Sequence, residues 1–445
     1  MSRDILPRPA PIALEEYRTR RLALMAALPP NSAVLLPSAK LVTRSRDSDY
    51  AFRQNSDFHY LTGFPEPDAL LLLLPGREGG ETLLFCQDKD PALEAWTGIR
   101  LGAAGAVERF GIDEAFENAQ RDEQLPALLD GREALYLPLD SREALALAER
   151  LRGKLVSRQR RGAVAPHAFA DVGDLIHAQR LIKSEAELAL LRHAGEVSAR
   201  AHRRAMQAAR PGLHEYHLQA ELEHEFVWQG ASGPAYASIV GSGANACVLH
   251  YIENRDILRD GELVLIDAGA EFDLYAGDIT RTFPINGRFS AAQRALYDVV
   301  LVAQERAIAA VAPGVTLSEI HDGVVRDLTR GLLELGLLEG ELEACIEAQS
   351  YRRFYLHSTS HWLGLDVHDV GSYRLAGEPR RLAPGMVLTV EPGLYIPDEE
   401  DIPPALRGIG IRIEDDVAVT VEGHEVLSRA VPKRAEDIEA LMLNK

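Results

Sequence analysis

The sequence predicts a mixed α and β protein of two domains. An α/β domain is expected over residues 1–175, and a domain of strands and long helices over residues 176–445. Its 445 residues are more than one hydrophobic core usually serves. Short strand-like runs alternate with helical patterns up to about residue 175, whereas longer helices begin at Ser184. The boundary between the two domains is therefore predicted within residues 170–183.

The composition excludes several classes of function. Apolar residues make up 46% of the chain and charged residues 26%, as in ordinary globular proteins. A formal net charge of −19 argues against nucleic acid or an anionic membrane as a partner, because both select basic patches. Three cysteines, Cys86, Cys247 and Cys345, fit neither a disulfide framework nor a CxxC metal site. With no signal-like or membrane-spanning run, the sequence predicts a soluble, cytoplasmic protein.

The expected elements of the first domain follow from local patterns. Residues 14–28 read as an amphipathic helix, and 142–152 show a second helical pattern. Strand-like runs are expected at 33–37, 69–74, 82–86 and 134–137. The intervening stretch Thr43–Ala69 is dense in charged and aromatic residues and is expected to be a folded surface segment.

In the second domain, capping signals predict the helices. Ser184 followed by Glu187 forms a capping box, and a long helix should run from there to Pro211-Gly212. A second helix is expected near 215–230, with further helices at 291–312, 316–336 and 434–443.

A glycine-rich segment, GSGANA at 241–246, matches the dinucleotide-binding fingerprint and follows a strand-like run. The fingerprint requires a helix to begin there, so that the helix N-terminus can hold a pyrophosphate. The following residues, 247–251, read instead as a β-type run. We therefore favour a tight turn between strands over a nucleotide site.

The most informative stretch is GELVLIDAGAEFDLYAGDITRTF, residues 261–283. Asp267 ends one apolar run and Asp278 lies inside a second. A hairpin that turns near Phe272 would set the two aspartates opposite each other, about 5 Å apart at Cβ. Such carboxylates repel and resist desolvation unless a cation lies between them. The alternative is that one aspartate caps a turn and the other is solvated.

A weak internal repeat adds a third acid. Residues 385–393, GMVLTVEPG, resemble 261–269, GELVLIDAG, with glycine six residues before an acid and two residues after it. Two related halves would bring Asp267 and Glu391 toward one central site. The repeat is short enough for chance to be an alternative.

Two later segments add polar side chains within apolar surroundings. Arg412 and Glu414 are two apart in GIGIRIEDDVAV and should share one face of a strand. The segment HSTSHWLGLDVHDVG carries three histidines, His357, His361 and His368. A single histidine is usually a core or surface residue, but three in twelve residues among glycines indicate a functional site.

Together these residues predict a metal centre. Asp267, Asp278, His361, Glu391 and Glu414 offer four carboxylates and one imidazole, a set that does not suit a structural zinc site. It suits oxygen-preferring divalent ions, with Mn²⁺ first and Co²⁺, Fe²⁺ or Zn²⁺ as alternatives. Four negative charges match two divalent ions, a pair that activates water for amide hydrolysis.

The combined motifs IDAGAEFDLYAGDITRTFP, HWLGLDVHDVG, MVLTVEPGLY and GIRIEDD are specific, and with RQNSDFHYLTGFPEPDA they cover nearly the whole chain. The sequence resembles the aminopeptidase P (Xaa-Pro aminopeptidase) family of metallopeptidases. This resemblance implies an α/β N-terminal domain for oligomerisation and active-site support. It also implies an α+β pita-bread catalytic domain, as in creatinase, prolidase and methionine aminopeptidase.

The resemblance also implies roles for individual residues. Asp267 resembles the terminal ligand of one metal, Asp278 and Glu414 resemble bridging ligands, and His361 and Glu391 resemble ligands of the second metal. Glu391 also resembles a proton shuttle.

Accessory roles follow in the same way. His250 and His368 resemble histidines that steady substrate and intermediate, and Arg412 resembles an arginine that orients ligands. His357 resembles a further catalytic histidine, although the chain departs from the family directly after it, where Ser358-Thr359 replace the common glycine and apolar residue.

The expected activity is removal of the N-terminal residue from peptides whose second residue is proline. Flat rings at Tyr236, His250, His357 and Tyr395 are candidate walls for the proline ring, and His368 is a further substrate-binding candidate. A prolidase acting on Xaa-Pro dipeptides is the alternative, and a non-catalytic pita-bread peptide-binding protein is a more distant one. The family resemblance also implies a homo-oligomer, either a dimer or a tetramer.

Overall fold

The computed structural model describes residues 4–443, which divide into two compact units. The N-terminal unit spans residues 11–180, and the C-terminal unit combines residues 181–443 with residues 4–10. The N-terminal domain was predicted to begin at residue 1. However, the Leu6 amide donates to Gln229 Oε1 at 3.0 Å, and Arg8 bonds to Asp273 at 3.1 Å. These contacts place the first described segment with the C-terminal unit.

A six-stranded mixed sheet forms the centre of the N-terminal unit, in the order β6-β5-β4-β1-β7-β8. The strands of this unit are β1 Ser32–Pro37, β2 Thr43–Ser45, β3 Ser48–Asp49, β4 Leu70–Leu73, β5 Thr82–Cys86, β6 Glu114–Glu117, β7 Ala134–Leu137 and β8 Ala168–Asp171. The four predicted strands are confirmed as β1, β4, β5 and β7. The edge strands β6 and β8 were missed, because their half-exposed residues give no apolar run.

Seven helices belong to the described part of this unit: α1 Leu14–Ala26, α2 Ser56–Thr62, α3 Pro91–Thr97, α4 Gly102–Phe110, α5 Arg121–Leu129, α6 Arg142–Ser157 and α7 Gly173–Arg180. Both predicted helices are confirmed as α1 and α6. The stretch Thr43–Ala69, which was expected to be a surface segment, is only partly exposed. The hairpin β2–β3 is exposed, whereas α2 buries Phe58 and Leu61.

The C-terminal unit has six further helices over the described residues: α8 Glu185–Ala208, α9 Glu215–Trp228, α10 Ala291–Ala310, α11 Leu317–Glu334, α12 Leu342–Glu347 and α13 Ala435–Leu443. The capping box at the start of α8 is present, with Ser184 and Glu187 bonding to each other's backbone amide. Within residues 4–443, no helix is both long and apolar enough to cross a membrane.

Several small antiparallel sheets complete the C-terminal unit. Their strands are β9 Gly233–Pro234, β10 Ile239–Ser242, β11 Leu263–Asp267, β12 Ala270–Phe272, β13 Tyr275–Ala276, β14 Thr280–Pro284, β15 Arg374–Leu375, β16 Glu378–Pro379, β17 Val387–Val390, β18 Gly393–Tyr395, β19 Gly410–Arg412, β20 Asp415–Val419 and β21 His424–Val426. The sheets β10-β11-β14 and β17-β20-β21 are joined where the Glu414 amide donates to the Thr280 carbonyl at 3.1 Å. This junction places Glu414 directly beside the start of β14.

The glycine-rich segment is a turn, in agreement with the rejection of a nucleotide site. Strand β10 leads into a short 3₁₀ helix at Gly243–Cys247 rather than into an α-helix. The β-type run expected at 247–251 is wrong, because these described residues form no strand. The backbone amides of Ser242 and Asp256 instead donate to the buried side chain of Glu215.

Candidate active site

A long hairpin carries the first two acids. Asp267 pairs with Thr280 at the end of β11–β14, and Phe272 pairs with Tyr275 beside the turn. The predicted direct pairing of Asp267 with Asp278 is therefore wrong. The two-residue turn at Asp273-Leu274, with φ of 47° and 70°, sets a register in which the aspartates are diagonal neighbours on one face.

The phenol of Tyr236 joins these two aspartates. Its hydroxyl lies 2.5 Å from Asp267 Oδ1 and 2.5 Å from Asp278 Oδ1. Burial and the two carboxylates raise the pKa of Tyr236 well above its ordinary value, so the hydroxyl stays protonated and can donate. The two acids therefore converge, although they are not paired in the ladder.

The remaining predicted ligands, His361, Glu391 and Glu414, come from outside this hairpin and lie close to Asp278. His361 Nε2 lies 3.3 Å from Asp278 Oδ2 and 3.6 Å from Glu391 Oε1. Candidate ligand atoms of Asp278, His361 and Glu414 all lie within 4.8 Å of one another.

Hydrogen bonds behind these side chains orient them. His361 Nδ1 donates to the Trp362 carbonyl at 2.9 Å, which directs Nε2 toward the acids, as in many metal-binding histidines. Glu414 Oε2 accepts a hydrogen bond from Thr280 Oγ1 at 2.7 Å, so this carboxylate is also held in place.

The electrostatics of the cluster favour binding of cations. Burial raises the pKa of Asp278, that of Glu391 to about 7 and that of Glu414 well above its usual value. Neighbouring carboxylates raise them further. Burial alone would lower the pKa of His361, but its contact with Asp278 outweighs burial and raises the pKa to about 9. Buried carboxylates that repel one another in this way fit oxygen-preferring divalent ions.

Arg412 supports the cluster from one side. Its Nη2 lies 2.5 Å from Asp267 Oδ2, and its Nε donates to Thr280 Oγ1 at 3.1 Å. Its Nη1 donates to the Tyr395 hydroxyl at 2.9 Å, and that hydroxyl lies 2.8 Å from His357 Nε2. Arg412 therefore links a candidate ligand to an accessory histidine.

His357 is held in one tautomer. Its Nδ1 donates to the Ser358 carbonyl at 2.8 Å, so Nε2 accepts from Tyr395. Burial, and then the charge of Arg412, lower the pKa of His357 to about 4, which keeps the ring neutral. The bond to residue 358 uses the backbone, so the unusual serine side chain does not alter this arrangement.

These residues surround one cavity of about 860 Å³. All the predicted site residues except Tyr395 line it among the residues that the structure describes. Tyr395 is buried behind His357 as a hydrogen-bonding support, which corrects its predicted place in the pocket wall. The predicted site residues in the lining are Tyr236, His250, Asp267, Asp278, His357, His361, His368, Glu391, Arg412 and Glu414.

One wall of the cavity was not predicted. Helix α11 contributes Leu317, Ser318 and His321 to the lining. His321 Nδ1 bonds to Thr359 Oγ1 at 2.8 Å, and the same hydroxyl bonds to Tyr355 at 2.8 Å. The lone histidine in an amphipathic helix gave no functional signal in the sequence.

Two known families match the chain, and each match falls within one of the two units. Residues 189–421 match metallopeptidase family M24, and residues 17–136 match the N-terminal domain of aminopeptidase P. The M24 match alone covers more than half of the chain.

Individual relatives extend the likeness to nearly the full length. The chain is 47% identical to an Xaa-Pro aminopeptidase of Escherichia coli K12, over 97% of this chain and 98% of the relative. A solved aminopeptidase PepP of Pseudomonas aeruginosa is 51% identical with a TM-score of 0.96, covering 98% of this chain and 99% of that one. A zinc-substituted E. coli aminopeptidase P in complex with product is 47% identical with a TM-score of 0.95, covering 98% and 99%.

Proposed function

The chain belongs to metallopeptidase family M24, and from this premise we propose that it is an Xaa-Pro aminopeptidase with two divalent metal ions. It removes the N-terminal residue from peptides whose second residue is proline. The observation that carries this proposal is the convergence of four carboxylates and one imidazole on a single cavity. The full-length likeness to Xaa-Pro aminopeptidases supports the same activity.

We assign the metal ligands by position. Asp267 would be a ligand of one ion only, His361 and Glu391 would be ligands of the second, and Asp278 and Glu414 would be shared by both. Mn²⁺ is the first choice for this set, because carboxylate oxygens dominate it. Divalent ions supply Lewis acidity, which activates water and stabilises the negative charge that develops during amide hydrolysis.

The protein's own groups position the substrate and move the proton. Glu391 takes a proton from the attacking water and returns it to the leaving nitrogen. His250 and His368 reach the cavity and can donate hydrogen bonds to the substrate and to the developing oxyanion. Arg412 keeps Asp267 in its orientation through the contact at 2.5 Å.

Replacement of His368 tests this division of labour. The His368 ring lies 4.4 Å from that of His361, between centroids, but is assigned no metal. We expect His368→Ala to lower kcat by about 100-fold with unchanged metal content, because a stabilising donor is lost. Steady-state kinetics and metal analysis measure the two effects.

The exposed His167 of the N-terminal unit provides a matched control, and His167→Ala should retain wild-type kinetics. Loss of metal together with activity in His368→Ala would make His368 a ligand and require another coordination scheme.

The substrate proposal follows from the chemistry of proline. Proline has no amide hydrogen and its ring fixes φ near −65°, so the enzyme needs a pocket for the ring. Tyr236, His250 and His357 line the cavity and offer flat surfaces to pack against it. The open cavity leaves space for a chain that continues beyond proline.

Three peptides test this proposal under Mn²⁺. We expect kcat/KM to be highest for Ala-Pro-Ala, lower for Ala-Pro and lowest for Ala-Ala-Ala, because proline fills the pocket and the longer chain adds contacts. A preference for the dipeptide would indicate a prolidase. Equal rates on the two tripeptides would contradict proline specificity.

We further propose a cytoplasmic homo-oligomer, a dimer or tetramer formed through the N-terminal domain. The acidic composition and three unpaired cysteines support a reducing compartment. Sedimentation of the purified protein determines its oligomeric state.

A further inference from the structure

His250 is carried by a segment that has no sheet or helix to hold it. Among the described residues, 248–256 form no regular secondary structure, and the His250 side chain is exposed. It nevertheless lines the cavity beside the candidate metal ligands. A catalytic histidine on irregular backbone needs other interactions to fix its position, because small displacements lower catalytic rates strongly.

The buried carboxylate of Glu215 supplies these interactions. Glu215 is the first residue of α9 and is fully buried. Its Oε1 accepts from the Ser242 amide at 2.7 Å, the Ser242 hydroxyl at 2.8 Å and Asn245 Nδ2 at 3.0 Å. Its Oε2 accepts from the Tyr251 hydroxyl at 2.9 Å and the Asp256 amide at 2.9 Å.

These five hydrogen bonds enclose the segment that carries His250. Ser242 and Asn245 precede the histidine, Tyr251 is its direct neighbour, and Asp256 follows it. The helix N-terminus favours the negative charge of Glu215, and a carboxylate has acceptor sites on both oxygens. A second anchor lies at Asn254, whose Oδ1 accepts from the Val240 amide at 3.0 Å and whose Nδ2 donates to the Ser238 carbonyl at 2.8 Å.

We infer that Glu215 is the positioning residue of His250: its five hydrogen bonds hold residues 242–256 so that the imidazole faces the substrate. This inference rests on the role given to His250 in the proposed function. It assigns Glu215 no contact with substrate or metal. Its effect on catalysis should therefore pass through His250.

The variant Glu215→Gln tests the inference because it keeps the shape of the side chain. The glutamine amide nitrogen is a donor, and every group that bonds to the Glu215 carboxylate is also a donor. The hydrogen bonds to one of the two carboxylate oxygens are therefore lost. We expect kcat/KM to fall about 10-fold, mainly through kcat, with unchanged metal content. In a His250→Ala background the same change should alter kcat/KM by less than about 2-fold, since no imidazole remains to be displaced.

Tyr251→Phe provides a milder variant in case Glu215→Gln does not fold. It removes one of the five hydrogen bonds and introduces no opposed donor. We expect about a 3-fold loss of kcat/KM that also disappears in the His250→Ala background. Asp113→Asn is the matched control, because that carboxylate accepts from two backbone amides in the N-terminal unit, those of Glu81 and Thr82, both at 2.8 Å. Its kinetics should remain those of the wild type.

The outcomes separate the inference from the proposed function. Equal losses with and without His250 would show that Glu215 acts on the fold in general and would overturn the inference. Wild-type kinetics in Glu215→Gln or Tyr251→Phe would also overturn it. An unchanged kcat/KM in His250→Ala alone would contradict the role of His250 and the inference with it. Failure of the wild type to cleave Xaa-Pro peptides would instead contradict the proposed function.

Discussion

Asp278→Asn should lose nearly all turnover and bind divalent ions at least about 100-fold more weakly than the wild type. Asp278 lies at the centre of the cluster, 3.3 Å from His361 Nε2 and in contact with Tyr236. Asparagine keeps the shape of the side chain but removes a charge and one oxygen. As a bridging ligand, Asp278 would otherwise contribute to both ions.

The fold of Asp278→Asn should survive without metal. Burial raises the pKa of Asp278, and Asp267 also disfavours its charge, so a neutral side chain relieves repulsion in the metal-free cluster. Titration with Mn²⁺ followed by calorimetry, together with thermal unfolding of the metal-free protein, measures both effects. We expect weak binding and an unfolding temperature no lower than that of the wild type.

Asp273→Asn is the matched control for this experiment. Asp273 lies at the turn of the same hairpin with φ of 47°, a conformation that asparagine adopts readily. Its kinetics and Mn²⁺ affinity should match the wild type. Full activity of Asp278→Asn without added metal would contradict the dinuclear assignment.

Gly269→Ala should disrupt both stability and metal binding. A Cβ added at Gly269 would lie 1.6 Å from the Gly277 carbonyl oxygen and 2.3 Å from its carbon. Both atoms belong to the backbone, so no side-chain rotation can relieve the overlap. The two strands must separate between Asp267 and Asp278, and we expect a loss of about 3 kcal/mol or more in unfolding free energy.

Denaturant unfolding and metal analysis test the effect of Gly269→Ala. Gly323→Ala is the control, because Gly323 lies within α11 and an added Cβ would meet no described atom within 4 Å outside its chain neighbours and the surrounding helix backbone. That change should stabilise the protein by about 0.5–1 kcal/mol through its higher helix propensity. Wild-type stability and metal content in Gly269→Ala would show that the strands can separate without consequence.

The sequence was most informative where a local pattern and a local structure coincide. The capping box at Ser184 and Glu187 acts within four residues, and it defines the start of α8 correctly. The acids of the cluster could be predicted because each interrupts or ends an apolar run. Edge strand β6 could not be predicted, because its pairing with β5 depends on a distant segment and its residues are half exposed.

Tertiary contacts determined what the sequence could not predict. The register of Asp267 and Asp278 depends on the positive φ of Asp273 and Leu274, which no apolar alternation reveals. Tyr395 reads like a pocket aromatic, but its position behind His357 depends on bonds to Arg412 and His357. His321 lines the cavity and is held there by a hydrogen bond to Thr359, a residue 38 positions later in the chain.

The contacts of residues 4–10 affect the order in which the newly made chain can fold. Leu6 and Arg8 bond to Gln229 and Asp273, partners 223 and 265 residues further along. The N-terminal unit, residues 11–180, is inserted between the two segments of the C-terminal unit. The N-terminal unit is therefore synthesised completely while the C-terminal unit still lacks most of its chain. At about 5–20 residues per second, these N-terminal residues wait many seconds for their partners. The entropic cost of closing a loop grows only slowly with its length. The long separation therefore affects the rate of folding more than the stability of the folded protein.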